Sequence, residues 1–268
     1  MTPRITRALV VLITLAFPVL LATARIQGST IFDAILGEPG QRTAEVSTGE
    51  LKRILAERGA IVLDARPHLE YAISHIPDAL NVAAKPDVTP SMYISDVAEV
   101  GRLVKGNKTA PLVLYCNGPY CGKSKRLAEE LLAAGFSNIR RYQLGIPVWR
   151  ALGGVTEIDT DGLRHVLAYD RTAVIVDVRD SATYRASTLP NARHLPRSGV
   201  LDGKDVGEVR RAKDDGRLPM NDHNTRIIVF GSTVADARYV ADAVAREAFH
   251  NVAFYRGSAT EALAVSRP

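Results

Sequence analysis

Five stretches of this chain occur twice in the same order, so the chain has to fold as two copies of one unit. Val46-Ser-Thr-Gly-Glu-Leu51 opens a helix with Ser47 and Glu50 at capping-box positions, and its counterpart is Ile158-Asp-Thr-Asp-Gly-Leu163. Ala60-Ile-Val-Leu-Asp-Ala-Arg66 is answered by Ala173-Val-Ile-Val-Asp-Val-Arg179. His75-Ile-Pro-Asp-Ala79 with Asn81 is answered by Thr188-Leu-Pro-Asn-Ala192 with His194. The apolar run that ends at Cys116 corresponds to Arg226-Ile-Ile-Val-Phe-Gly231, and the stretch from Phe136 to Gly145 to that from Phe249 to Gly257. Short apolar runs alternate with helical spacing in both halves. Each half is therefore expected to be an α/β unit, a mainly parallel sheet flanked by helices.

The chemistry concentrates in one junction. Leu112 to Tyr115 reads as a buried strand, while Leu127, Leu131 and Leu132 fall at helical spacing before a stop at Gly135. Between them lies Cys116-Asn117-Gly118-Pro119-Tyr120-Cys121-Gly122-Lys123-Ser124, which holds both cysteines of the chain. A strand–loop–helix junction turns loop N–H groups and the positive end of a helix toward Cys116, and Lys123 and Arg126 add positive charge. A thiol held there is expected to ionise easily and to attract an anionic substrate. The bland alternative is a buried, inert cysteine that closes a strand.

Residues 1–24 stand apart: Arg4 and Arg7 precede the apolar run Ala8 to Leu21, and Ala22-Thr23-Ala24 fits a small-x-small cleavage site. An export signal is expected, with an uncleaved membrane tether through residues 8–24 as the alternative. The remainder then lies outside the cytoplasm, in the periplasm if the source is bacterial. Residues 25–41 read as a linker, 42–153 as the first unit and 154–268 as the second. Charged residues make up 24% of the chain and its net charge of +5 is spread without a basic block, which points away from disorder and from nucleic acid. No phosphate-binding glycine loop, dinucleotide fingerprint or metal-ligand spacing is present, so no cofactor is expected.

From about residue 42 onward the chain resembles the rhodanese (sulfurtransferase) homology family, in tandem. The resemblance is carried by Leu63-Asp64-Ala-Arg66, Glu70-Tyr71, Ser74-His75-Ile-Pro-Asp-Ala79 with Asn81, Tyr115-Cys116, and Tyr142-Gln-Leu-Gly-Ile-Pro-Val-Trp149. It implies that Cys116 takes a sulfane sulfur from a small sulfur-containing anion as a persulfide. Cys116 then passes that sulfur to a thiol or cyanide acceptor. Residues 117–124 and Arg66 would line the substrate.

The chain departs from that pattern twice. The family's short active loop is Cys-x-x-Gly-x-Arg-Ser. Here Lys123 stands where Arg is common and the loop is two residues longer than its counterpart in the second half, which puts thiosulfate in question as the natural donor. Related phosphatases use Cys-x5-Arg for bidentate phosphate contacts; Lys123 is one residue further on and only a point charge, which argues against phosphatase chemistry. The second half carries Gly231 at the cysteine position and Thr188 opposite His75, so it is expected to be catalytically silent and to wall the cleft or serve as a docking surface. Two rival functions remain: thiol–disulfide exchange or redox sensing by Cys116 and Cys121, and a non-catalytic module binding sulfur compounds or oxyanions. Cys121 either bridges reversibly to Cys116 or turns its thiol away. Asp64 and Arg66 are read equally as catalytic groups at a strand end or as an internal ion pair, His75 as a structural hydrogen-bonding residue, and Trp149 as core or interface packing.

Overall fold

A computed structural model of the chain describes residues 29–82 and 97–265. The segment 1–24, read as an export signal or anchor, lies outside them, as do residues 25–28 of the linker. The first unit runs β1 (Ala44–Glu45), α1 (Thr48–Glu57), β2 (Ile61–Asp64), α2 (His68–Ile73), β3 (Leu80–Asn81), α3 (Val97–Leu103), β4 (Leu112–Tyr115), α4 (Lys123–Ala133), β5 (Ile139–Tyr142) and α5 (Gly145–Ala151). The second runs β6 (Thr156–Ile158), α6 (Thr160–Tyr169), β7 (Val174–Asp177), α7 (Ser181–Ala186), β8 (Arg193–His194), α8 (Gly207–Asp214), β9 (Ile227–Phe230), α9 (Val234–Ala245), β10 (Val252–Tyr255) and α10 (Ala259–Val265).

Each unit holds one five-stranded sheet, ordered β1-β5-β4-β2-β3 and β6-β10-β9-β7-β8, and every strand pairing within them is parallel. The middle strand of each sheet, β4 in one and β9 in the other, is apolar at every position because helices cover both faces. Along β4, Leu112 and Leu114 pack into one core with Leu127 and Leu131 of α4. Val113 and Tyr115 pack into the other, with Leu51 of α1 and Trp149 of α5. Strand β9 divides in the same way, Ile227 and Val229 to one face, Ile228 and Phe230 to the other. Local signals start and stop the elements where the sequence places them. Ser47 Oγ accepts from the Glu50 amide at 3.2 Å at the head of α1. Gly135, at φ +89°, turns the chain after α4 and donates its amide to Leu132 O.

The repeat extends to single hydrogen bonds. Asp64 grips Arg66, whose Nη2 donates to Ser74 O; Asp177 grips Arg179, whose Nη2 donates to Ser187 O. Tyr71 donates to Ala79 O as Tyr184 does to Ala192 O, each at 2.9 Å. Thr48 bonds Tyr142, and Thr160 bonds Tyr255.

The two units meet through α2, α6 and β6. His75 and Glu157 form an antiparallel backbone bridge, and His75 Nε2 lies 2.9 Å from Glu157 Oε2. The Asp159 amide donates to Ala72 O, and Trp149 Nε1 donates to Val155 O at 2.9 Å. Gly162 permits this closeness: a Cβ there would lie 2.0 Å from Ala72 O. Residues ahead of β1 also bond to the first unit. Glu38 pairs with Lys125 and Arg141, and Gln41 accepts from Gln143.

Candidate active site

Parallel strands place all their carboxyl ends at one edge, where the loops after β2, β4 and β5 converge. In the first unit that edge is knitted by backbone bonds: the Ala65 amide donates to Tyr115 O, and the Ile146 amide to Cys116 O at 3.2 Å. Cys116 is thereby fixed between β4 and the first turn of α5. Gly145 is required at this crossing, because at φ +64° its Cβ would sit 2.4 Å from both Cys116 O and the Gly118 nitrogen.

The loop 116–122 curls back on itself. Gly118, at φ +99°, reverses the chain, and the Cys121 amide closes a turn onto Gly118 O at 3.0 Å. Cys121 O then accepts from Cys116 Sγ at 3.0 Å, and Ser124 Oγ lies 3.4 Å from the same sulfur. Helix α4 starts without a side-chain cap at Gly122. Its first amides are turned to the two sulfurs instead, Ser124 N–H to Cys116 and Lys123 N–H to Cys121. The thiol pair takes the place of an N-cap.

The electrostatics depart from the expectation of a readily ionised Cys116. Its contact with the Cys121 thiol and its burial push Cys116 well above the ordinary thiol range, against the opposing pull of the Ser124 hydroxyl and amide. Cys121 is lowered to about 6 by its contact with the Cys116 thiol, by the Asn117 and Lys123 amides and by the Lys123 charge, although burial opposes this. Of the two thiols, Cys121 is thus the one favoured as thiolate and Cys116 the one held back, with Cys116 Sγ donating to Cys121 O.

The other expected residues fall around this pair. Ser124 is buried beside Cys116, and Lys123 begins α4. Asn117, Pro119 and Gly122 are exposed, Asn117 donating to Glu70. Tyr120 is fully exposed. Arg66 is buried, its guanidinium engaged by Asp64 and Ser74 O, an arrangement duplicated at Arg179 in the unit without a cysteine. His75 is buried and bonded to Tyr71 O and Glu157, in keeping with a structural role. In the second unit Gly231 stands at the strand end, and helix α9 starts after only 231–233, capped by Thr233. The two loops therefore differ by more than the two residues counted from sequence, because α9 begins nearer its strand than α4 does.

The sequence reading did not single out Gly145 or Arg150. Gly145 had a signal, a glycine at a strand-to-helix junction. Arg150 lies one turn along α5 from Ile146. It donates to Ser74 Oγ while its buried Nε has no partner among the described residues. Burial lowers Arg150 to about 10, with neighbouring guanidiniums adding to the effect.

The rhodanese-like domain model matches this chain twice, over residues 47–152 and 164–264. An HTH-type transcriptional regulator of Mycobacterium tuberculosis is 29% identical over 119 residues, covering 44% of this chain and 46% of that protein, so less than half of the regulator's length is matched. Thiosulfate sulfurtransferase GlpE of Pseudomonas savastanoi pv. phaseolicola is 28% identical over 103 residues, 38% of this chain and 83% of that one. A thiosulfate:glutathione sulfurtransferase of Saccharomyces cerevisiae is 27% identical over 111 residues, 39% of this chain and 76% of that one. With two matches in tandem that between them take in most of its length, the chain belongs to the rhodanese-like domain family.

Proposed function

We propose that this protein is a sulfurtransferase whose first unit carries the reaction on Cys116. The observation that carries the reading is the position of Cys116, fixed at the carboxyl end of β4 against the amino terminus of α4, with the Ser124 hydroxyl and amide at its sulfur. As an anionic donor enters, Cys116 passes its proton to the Cys121 thiolate, and the freed Cys116 thiolate attacks the donor's sulfane sulfur. The S–S bond of thiosulfate would break with sulfite leaving, and Cys116 becomes a persulfide. A thiol acceptor then attacks the outer sulfur, takes it as its own persulfide and restores Cys116; cyanide would leave as thiocyanate. Arg66 holds the loop after β2 rather than the substrate, and Lys123 supplies positive charge at the mouth. Relatives that are thiosulfate sulfurtransferases, one of them using glutathione, support a sulfur anion as donor and a thiol as acceptor.

Intact-mass measurement of the reduced protein after thiosulfate or mercaptopyruvate tests the reading. One added sulfur, absent from Cys116→Ser, is expected, and a Cys116→Ser variant that still transfers sulfur would overturn it. We propose further that the protein works outside the cytoplasm, from the order of basic, apolar and small residues in 1–24. Fusing residues 1–45 to a reporter active only after export should give signal, and a silent reporter refutes that placement.

A further inference from the structure

The two cysteines of the chain share one curled loop, and the first unit has this longer loop where the second has only 231–233. Cys121 O lies 3.0 Å from Cys116 Sγ, and the two thiols are near enough for each to shift the other's ionisation. A carbonyl oxygen is two bonds from its own Cα, which puts the Cα of Cys121 within about 5.5 Å of the Cys116 sulfur. The Cα of Cys116 is about 2.8 Å from its own sulfur, so the two Cα atoms lie within about 8 Å. A disulfide needs roughly 4.4–6.8 Å, which the loop reaches by tightening its curl. Cys121 is half-buried, with the Asn117 and Lys123 amides turned to its sulfur. That is the setting of a reactive thiol rather than of a filler residue.

We propose that Cys121 is a second catalytic residue, which resolves the Cys116 persulfide by forming a Cys116–Cys121 disulfide and releasing the sulfane sulfur as hydrosulfide. This rests on the sulfurtransferase reading and adds an outlet to it that needs no acceptor thiol. Cys121 Sγ bonds to Cys116 Sγ as the persulfide S–S bond breaks. The proton that Cys121 took up from Cys116 moves to the departing terminal sulfur, so hydrosulfide leaves. The sulfane sulfur gains two electrons and the thiol pair loses two. A dithiol reductant then returns the disulfide to the starting pair. The hydrogen bond from Cys116 to Cys121 O favours this course, because a persulfidated Cys116 has no proton on Sγ to donate and the contact that holds the loop closed is released. Cys121 thus discriminates between two fates of the sulfur, transfer when an acceptor thiol is present and reduction to sulfide when it is absent.

The test is a single turnover of the reduced, full-length protein under anaerobic conditions, with thiosulfate or mercaptopyruvate and no acceptor. Sulfite or pyruvate counts the sulfur accepted, and hydrosulfide counts the sulfur released. The expected result is one hydrosulfide for each sulfite or pyruvate, a protein mass lower by two hydrogens, and a 116–121 cross-link in the non-reducing peptide map. Cys121→Ser, which also removes the thiolate that takes the Cys116 proton, should take up sulfur more slowly, and every sulfur it does take up should stay on the protein with no hydrosulfide released. Sulfite or pyruvate without hydrosulfide from the unaltered protein would overturn the role of Cys121 and leave the sulfurtransferase reading intact, as would finding the added sulfur on Cys121. No sulfite and no pyruvate would refute the sulfurtransferase reading, and the role of Cys121 with it. Because the unaltered protein gives the decisive ratio, the outcome does not depend on how well the variant folds.

Discussion

Cys121 and Cys116 occupy one loop yet meet different surroundings, and their reactivity should divide accordingly. Cys121 is half-buried and lowered to about 6, while Cys116 is 2% exposed and raised. Iodoacetamide should therefore modify Cys121 first at neutral pH. That rate should fall as pH drops through about 6, since the thiolate is lost below its pKa. Peptide mapping over a pH series checks this, and faster labelling of Cys116 would contradict it. Ser124 bears on the other sulfur, its Oγ 3.4 Å from Cys116 Sγ. Ser124→Ala removes a bond that favours the Cys116 thiolate, a loss of about 1 kcal/mol, or roughly five-fold in the rate of sulfur uptake. Stopped-flow sulfite release measures it, with thermal melting as the control for folding.

The paired brackets Asp64–Arg66 and Asp177–Arg179 join the end of a central strand to the loop that follows the next helix in each unit. Each salt bridge is buried, so removing the cation strands a carboxylate away from water. Arg66→Met and Arg179→Met should each destabilise by about 3–5 kcal/mol, read from urea unfolding. Arg179→Met should leave sulfur uptake per folded molecule unchanged, because its bracket lies in the unit without a cysteine. A specific loss of uptake there would place the second unit in the chemistry. Helix α5 gives a sharper case. Gly145→Ala puts a methyl 2.4 Å from Cys116 O and strains a backbone at φ +64°. It should displace the thiol loop and cost about 1–3 kcal/mol, with sulfur uptake falling further than stability does. Equal losses in the two would make Gly145 a folding residue alone.

At the scale of the whole molecule, the units are joined by His75 and Glu157, one from each, buried and 2.9 Å apart. His75 Nδ1 faces Tyr71 O, which can only accept, so Nε2 is left to face the carboxylate. Burial raises Glu157, but the His75 bond and charge, with help from Arg256 and the Asp78 amide, hold it below the ordinary 4.5. A carboxyl lowered on folding contributes stability that is full above its unfolded value and is lost as pH falls through the folded one. Glu157→Gln should therefore cost about 1–3 kcal/mol at pH 7, and the difference from the unaltered protein should shrink as pH falls below about 4.5. Urea unfolding at both pH values measures it; a gap that stays constant would remove Glu157 from the acid response. The second unit earns its place through this junction, since Gly231 offers no thiol and a Cβ there would lie 2.7 Å from Val178 Cγ2.

The duplication, the apolar central strands, the cap at Ser47, the stop at Gly135 and the cysteine at the end of β4 were all legible in the residues. Each depends on neighbours within a few positions or on a pattern of period two or near 3.6, which a linear chain displays openly. His75 reads as a structural hydrogen-bonding residue, since a thiolate needs no general base, and its burial against Tyr71 O and Glu157 agrees with that. The state of the two thiols was not legible, and the reading of an easily ionised Cys116 went astray there. Spacing tells that a cysteine five positions on can reach back, but not which sulfur receives the helix amides and which is left against a carbonyl. That choice is made by the reversal at Gly118 and by the closure of Gly145 on Cys116 O, contacts between segments far apart in sequence. The partner of His75 lay beyond reach for the same reason: Glu157 stands in the other unit, and only the packing of α2 on α6 and β6 carries its carboxylate to the imidazole.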